Sequence, residues 1–279
     1  MNSTPVFAGC CGPGEAPAPR ILSAFDRRHR RFFCTRFLAS LRATGNNEVV
    51  HPVAVGLYPS EGERLVRFRG VQPFFRRETD ERVPRRRLRE FGEITRALSP
   101  ATPVAYWDAG DVIFQARLQP LWELLRTHPG KLLAVREPCG HPDNPAVVWW
   151  TETITDPAAR RDAQRTVFDR PFLNGGFLAG DASALTQYFD TVADWYGTAK
   201  LAGSRNAGDQ LALNVYCHSR PEAWHEISES WNYCLCRRKR NTCYRRDDGR
   251  YVDVRGVPIQ AVHGNASTLD SIPFRRTPF

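Results

Sequence analysis

Short apolar runs and helix-spaced apolar positions alternate along the chain. Residues 21–25 form an apolar run, and residues 31–44 carry apolar side chains at the spacing of an amphipathic helix. Residues 51–58 form a second apolar run, which residues 59–62 close as a turn. A strand, a helix and a strand in this order are typical of the start of a parallel α/β sheet.

The same alternation continues over the rest of the chain. Further strands are predicted at residues 104–107, 131–135 and 261–265, with a hairpin-like turn at 247–249. Further helices are predicted at residues 88–98, 118–127, 182–196 and 211–216. Residues 146–150 are apolar and aromatic, and they predict a strand or the wall of a pocket. Together these elements predict an α/β fold with a mostly parallel central sheet flanked by helices.

The first residues show no such periodicity. Residues 1–19 are rich in Pro, Gly and Ala, which predicts a flexible tail, and residues 20–279 are expected to form a single domain. The N-terminal residues hold no apolar core of the length that a signal peptide needs, and no run approaches a membrane span. We therefore expect a cytoplasmic protein with mostly free thiols and no membrane partner.

Two carboxylates interrupt the apolar pattern at its centre. Asp108 ends the strand 104–107, Gly110 and Asp111 follow, and a second apolar run begins at residue 112. Carboxylates in apolar surroundings must be neutralised, protonated or bound to a cation. Two hard oxygen ligands on one side of a turn suit Mn²⁺ or Mg²⁺ when a diphosphate supplies further oxygens. The alternative is a solvated turn in which the aspartates only cap backbone amides.

Two later stretches also point to a site. Residues 172–181 bracket the pair Gly175 and Gly176, which lets backbone approach another group closely. Asp209 precedes the helix 211–216, where an acid stabilises the helix dipole or faces a ligand. Both roles stay open for Asp209.

The composition changes this picture only in part. The formal net charge is +9, and of 39 basic residues only Lys131, Lys200 and Lys239 are lysines. Arginine favours bidentate contact with phosphate or carboxylate, so an anionic ligand is plausible, although codon bias in a GC-rich genome has the same effect.

Clustered cysteines leave a second interpretation open. Four of the eight cysteines lie near two histidines in the last third of the chain, in a spacing that fits no standard zinc pattern: Cys217, His218, His225, Cys234, Cys236 and Cys243. They form a structural zinc site or separate thiols. A zinc site together with the basic charge would favour a nucleic-acid-binding protein.

Four segments in order resemble a known family. Asp108 to Asp111, the segment around Asn174, the Asp209 segment and the run from His263 to Asn265 resemble the glycosyltransferase domain of the procollagen lysyl hydroxylases and related GT-A enzymes. The likeness extends from about residue 21 to about residue 268 and is continuous only around these motifs. It implies a single domain of GT-A fold.

The resemblance implies roles for named residues. Asp108, Asp111 and His263 would bind Mn²⁺ or Mg²⁺, which holds the diphosphate of a UDP-sugar. Asn174 would lie near the transferred sugar, and Asp209 would orient the sugar or assist transfer. The expected donor-binding residues are Ser23, Ala24, Phe25, Arg85, Arg87, Gly110, Gly175, Gly264 and Asn265.

The sequence also departs from the family. An aromatic residue that faces the nucleotide base usually precedes the second acid, whereas Gly110 stands here. The family's acidic run is reduced to Asp209, and no iron triad of the hydroxylase type is visible, so collagen is unsupported as a substrate.

These observations predict a metal-dependent transfer of a hexose, of glucose or galactose type, from a UDP-sugar to a hydroxyl on a peptide, metabolite or glycan. The alternatives are a basic nucleic-acid-binding protein with a zinc module, for which nucleic acid is the less expected partner, and a non-catalytic sugar-nucleotide-binding protein.

Overall fold

The protein is built on a seven-stranded sheet. The computed structural model describes residues 16–137, 145–205, 209–235, 243–245, 250–253 and 255–264. The strand order is β3-β2-β1-β4-β7-β6-β8, and only β7 runs against the other six. The strands are β1 Arg20–Asp26, β2 Val49–Val55, β3 Phe74–Arg76, β4 Pro103–Trp107, β6 Leu132–Val135, β7 Phe177–Asp181 and β8 Trp224–Ile227. The predicted mostly parallel sheet is confirmed.

Helices cover both faces of this sheet. They are α1 Arg30–Phe32, α2 Leu38–Ala43, α3 Pro59–Val66, α4 Val83–Arg96, α5 Gln119–Thr127, α6 Pro145–Glu152, α7 Pro157–Val167, α8 Ala182–Gly197 and α9 Gln210–Ser219. A π-helical segment, Phe33–Phe37, joins α1 to α2. Short 3₁₀ turns occur at Pro221–Ala223 and Glu229–Asn232.

Strand β4 shows why both faces are apolar. Successive side chains of a strand point to opposite faces. Val104 and Tyr106 pack in one core cluster with residues of α4 and α8, whereas Ala105 and Trp107 pack in a second cluster with residues of α5. A central strand with helices on both sides therefore reads as a continuous apolar run.

A smaller sheet has three strands, the first of which follows β4 in the chain. It consists of β5 Val112–Phe114, β9 Tyr233–Cys234 and β12 Ala261–His263, in the order β5-β12-β9. Strand β12 pairs antiparallel with β5 and parallel with β9. A separate ribbon pairs β10 Cys243–Arg245 with β11 Tyr251–Asp253, and the predicted turn at 247–249 lies outside the described residues.

Several elements differ from the sequence prediction. Residues 146–150 belong to helix α6, so the strand interpretation is wrong; Val147 and Thr151, one helical turn apart, are both buried. Residues 59–62 open α3 instead of closing a turn, because Pro59 occupies the first helical position, where its missing N–H costs nothing. Helix α7 and strands β3, β7 and β8 were not predicted. Within the described residues, no helix is both long enough and apolar enough to cross a membrane.

The boundary of the N-terminal tail stays a prediction. Residues 1–15 lie outside the described part, and residues 16–19 lead into β1 without regular secondary structure.

Candidate functional site

Three side chains meet where the two sheets adjoin. Asp108 follows β4, Asp111 precedes β5, and His263 ends β12 opposite Val112 of β5. The Nε2 atom of His263 lies 3.4 Å from Asp111 Oδ1 and 3.7 Å from Asp108 Oδ2. One ligand atom from each residue lies within 4.8 Å of the others. The structure thus brings together three residues predicted from two separate sequence motifs.

The donor atoms of this cluster fit a divalent cation. Asp111 Oδ1 is buried and makes no hydrogen bond within the described residues. Burial raises the pKa of Asp111, but His263, His29 and Arg87 outweigh it, so the net pKa lies below the ordinary value. Two carboxylates and one imidazole form an acceptable ligand set for Mn²⁺ or Mg²⁺.

Arg87 connects this cluster to Asp209. Its side chain, from α4, is 5% exposed and donates from Nε to Asp209 Oδ2 at 2.8 Å and from Nη2 to Asp209 Oδ1 at 2.9 Å. Its Nη1 donates to Asp108 Oδ1, and its Nη2 also donates to the Gly175 carbonyl at 2.9 Å. Burial opposes the charge of Arg87, but Asp108 and Asp209 raise its pKa well above the ordinary value. Arg87 therefore stays charged and holds the two acids in place.

The structure favours one of the two roles expected for Asp209. Asp209 stands at the N-cap position of α9, yet its carboxylate makes no capping hydrogen bond. Instead it accepts from Arg87 and, at 3.2 Å, from the Tyr106 hydroxyl. Burial raises the pKa of Asp209, while Arg87 partly offsets that effect. The side chain faces the site rather than its own helix.

Asn174 lies between the ends of β4 and β6. Its backbone N–H donates to the Val135 carbonyl, and the Asp108 N–H donates to the Gly176 carbonyl. Because β7 runs against its neighbours, the residues that precede it arrive at the edge where β4 and β6 end. This reversal places Asn174 and the glycine pair beside Asp108.

Asn174 is the centre of a buried hydrogen-bond network. Its Oδ1 accepts from the Gly176 N–H at 2.7 Å and from Asn232 Nδ2 at 2.8 Å. Its Nδ2 donates to Glu137 Oε1 at 2.8 Å, and Gln210 Nε2 donates to the same oxygen at 2.6 Å. Glu137 and Asn232 were missed as site residues. Glu137 lies two residues after the apolar strand β6, close to the position that Asp108 takes after β4, and this pattern could have revealed it.

The two glycines are required by the crowding of the site. A Cβ at Gly176 would lie 2.4 Å from His263 Cε1 and 2.9 Å from both Asn174 Oδ1 and Asp108 Oδ2. A Cβ at Gly175 would lie 2.8 Å from the Cβ of Gln210. The close backbone approach predicted for this pair is made to the site's own side chains.

Four of the predicted donor-binding residues contact groups outside the Arg87 network. Ser23 is buried and donates to the Trp107 carbonyl at 2.8 Å, while the buried Ala24 and Phe25 pack in the cores on opposite faces of the sheet. These three side chains therefore contribute to packing. The Arg85 guanidinium lies over the Tyr196 ring, at 5.1 Å, rather than in the Arg87 network.

Two glycines of the predicted donor-binding set lie beside the metal-type cluster, which consists of Asp108, Asp111 and His263. The Gly264 N–H donates to the Asp111 carbonyl at 2.8 Å. Gly110 lies against the His29 ring, which a Cβ at Gly110 would meet at 2.7 Å. Asn265 lies outside the described residues.

The cysteines show no zinc centre in the part of the chain that is described. Cys217 is buried in the main core, and Cys234 lies in β9. His218 Nε2 is hydrogen-bonded to the Pro171 carbonyl, and His225 stacks on His128 with ring centroids 4.2 Å apart. Cys236 and the side chain of Cys243 lie outside the described set. The zinc hypothesis thus gains no support from the four described members.

Comparisons with known proteins agree with this architecture. No protein-family profile and no curated protein matches the sequence. Mouse xyloside xylosyltransferase 1, in its apo form, is 17% identical and covers 90% of this chain and 98% of its own, with a TM-score of 0.56. The chain has a GT-A glycosyltransferase fold.

Two further GT-A structures are similar. The galactosyltransferase LgtC, in complex with donor and acceptor sugar analogues, is 14% identical over 88% of this chain and 86% of its own, with a TM-score of 0.55. The bifunctional glycosyltransferase WbbM is 14% identical over 82% of this chain and 42% of its own, with a TM-score of 0.52. The predicted GT-A fold is confirmed, whereas the particular likeness to lysyl hydroxylases stays a prediction.

Proposed function

We propose that this protein is a metal-dependent glycosyltransferase that moves a hexose from a UDP-sugar to an acceptor hydroxyl. The observation that carries the proposal is the Asp108, Asp111 and His263 cluster at the edge of a GT-A sheet, joined through Arg87 to Asp209. The names of the similar structures, a xylosyltransferase and a galactosyltransferase, support glycosyl transfer as the reaction class.

The metal-type cluster serves the diphosphate end of the donor. Asp108, Asp111 and His263 would hold Mn²⁺ or Mg²⁺, which when bound neutralises negative charge on the leaving nucleoside diphosphate. His263 would add an imidazole nitrogen to the two carboxylates of this set. The side chains of His263 and Asp108 are 3% and 30% exposed, so the cluster is anchored on one side and open on the other.

The buried polar groups beside it serve the sugar. Both oxygens of Asp209 are held by Arg87, so the carboxylate is fixed in position and suits a role in orienting sugar hydroxyls. A second fixed group consists of three side chains joined by hydrogen bonds, those of Asn174, Gln210 and Glu137. Glu137 adds a buried carboxylate that could accept the proton of the attacking hydroxyl.

A thermal-shift experiment tests the donor site. Wild type and Asp111→Ala are melted with UDP, GDP, CDP and dTDP, each with and without Mn²⁺. We expect stabilisation by UDP only with the metal, and loss of that effect in Asp111→Ala. Asp190→Ala, at an exposed position on α8, is the matched control and should keep the shift.

The same samples separate enzyme from binding protein. Slow release of sugar and UDP from a UDP-hexose, followed by NMR, is expected for a transferase that uses water as a poor acceptor. Metal-dependent binding without any turnover would favour the non-catalytic alternative. If no nucleotide gave a metal-dependent shift in the wild type, the proposal would fail at its central residues.

A further inference from the structure

An exposed tryptophan stands on the helix beside the candidate site. Trp149 of α6 is 48% exposed, while Val147 and Thr151 of the same helix are buried and anchor it. Single exposed apolar side chains are common and carry little by themselves. Trp149 differs from such isolated side chains because a charged side chain lies over its ring.

The guanidinium of Arg205 lies over the Trp149 ring. The Cζ of Arg205 is 5.8 Å from the ring centroid, and within the described residues no carboxylate pairs with this guanidinium. The Arg205 segment is fixed at the C-terminal end of α6. The Arg205 N–H donates at 2.7 Å to Oγ1 of Thr153, just beyond that helix, and Ser204 Oγ donates to the Trp150 carbonyl at 3.0 Å. Indole and guanidinium are therefore presented together on a fixed support.

Two connections link the segments of this pair to the segments that hold the proposed sugar groups. Arg205 precedes Asp209 by four residues, so their Cα atoms are at most about 14 Å apart. The Trp150 ring lies 6.1 Å from that of Phe172, two residues before Asn174. Both connections lead to Asp209 and Asn174, the residues assigned to the sugar, rather than to the metal-type cluster.

We propose that Trp149 and Arg205 bind the acceptor, and that the acceptor is an acidic saccharide. This inference rests on the proposed glycosyl transfer. The C–H face of a sugar ring packs against the indole, which offers a large rigid apolar surface. A carboxylate or phosphate on that saccharide pairs with the Arg205 guanidinium, whose planar donors suit both groups.

The local charges favour a saccharide over a nucleic acid. Sites for single-stranded nucleic acid combine several aromatic platforms with a continuous basic groove. Here one exposed indole and one guanidinium stand together, and the exposed Glu152 follows on the same helix. This arrangement matches a ligand with one ring face and one localised negative charge.

Binding calorimetry tests the inference directly. Tetragalacturonate, neutral maltotetraose and a single-stranded oligothymidylate are titrated into wild type, Trp149→Ala and Arg205→Gln. We expect the acidic tetrasaccharide to bind the wild type, and each substitution to weaken it about tenfold, as for a residue that anchors an interface. Arg205→Gln should leave binding of the neutral tetrasaccharide unchanged. Phe68→Ala and Arg161→Gln, at exposed positions in other parts of the protein, are the matched controls and should bind like wild type.

Two outcomes overturn the inference. One is the absence of measurable tetragalacturonate binding, or equal binding by wild type and both variants. The other is a preference for the oligothymidylate that is lost in the variants. The metal-dependent UDP shift of the wild type is measured in the same preparation, because its absence would mean that the donor-site proposal has failed. If the UDP shift is present and either outcome occurs, only the acceptor inference is overturned.

Discussion

A single added methyl group at Gly176 tests the geometry of the metal-type cluster. In Gly176→Ala the new Cβ would lie 2.4 Å from His263 Cε1. Non-bonded carbon atoms pack at about 3.5–4.0 Å, so the His263 ring would have to move by more than about 1 Å. The backbone of His263 is held in β12 by pairing with β5 and β9, so the ring rather than the strand would give way.

The expected result is loss of metal-dependent nucleotide binding. Metal ligands are placed to within about 0.2 Å, and the displacement is several times larger. For the wild type, ligand at about 100 times its Kd stabilises by about 2.7 kcal/mol, a shift of several degrees in Tm. Gly176→Ala should show none of this shift, and overpacking should also lower its own stability by about 1–3 kcal/mol.

The assay is a thermal melt with UDP and Mn²⁺, together and separately. Gly197→Ala is the matched control, because a Cβ at Gly197 would meet no heavy atom within 4 Å. It should keep the full shift. His263→Ala removes the ring without introducing a clash. It provides the same test if the Gly176→Ala protein does not fold. A full metal-dependent shift in both Gly176→Ala and His263→Ala would refute the assignment of these side chains to the metal.

Two other predictions concern buried ionisable side chains. Arg87→Met should destabilise the protein by about 3–5 kcal/mol in urea unfolding, because it leaves the buried Asp209 carboxylate without its partner; an unchanged midpoint would contradict this role. Burial first, and Arg20 second, lower the pKa of His51 to about 4, so the folded protein resists protonation that the unfolded chain accepts below about pH 6.5. The free energy of unfolding should therefore fall by up to about 3 kcal/mol between pH 6.5 and 4, and this part of the fall should vanish in His51→Gln, as followed by denaturant titration at each pH. Equal pH dependence of the two proteins would show that His51 does not carry it.

The sequence predicted those parts of the fold that local pattern determines. The strand before Asp108 was recognisable because both of its faces are buried, which makes it apolar throughout. The helix predicted at residues 182–196 matches α8, whose N-cap Asp181 accepts from the Ala184 N–H at 2.8 Å. Helix α6 was misread because a short apolar run has the same appearance in a strand and in a buried helix.

The parts that failed depend on distant pairing. The reversed direction of β7 follows from its hydrogen bonds to β4 and β6, and no local signal in Phe177–Asp181 encodes it. The contact between Arg87 and Asp209 joins residues 122 positions apart. Their types suggested chemistry, but only the folded chain shows that they meet. Glu137 carried a local signal, its position after β6, but its hydrogen bonds with Asn174 and Gln210 become visible only in the folded chain.

The pairing of β12 with β5 has a consequence for synthesis. Chains emerge N-terminus first, and domains fold as their residues become available. Asp108 and Asp111 leave the ribosome long before His263, which completes the cluster from the opposite strand of the small sheet. Until then the two acids stand without their imidazole neighbour, so the ion binding that we propose for all three residues would be a late event. A chain interrupted before β12 would retain the seven strands of the main sheet but lack one of the three ligand-type side chains.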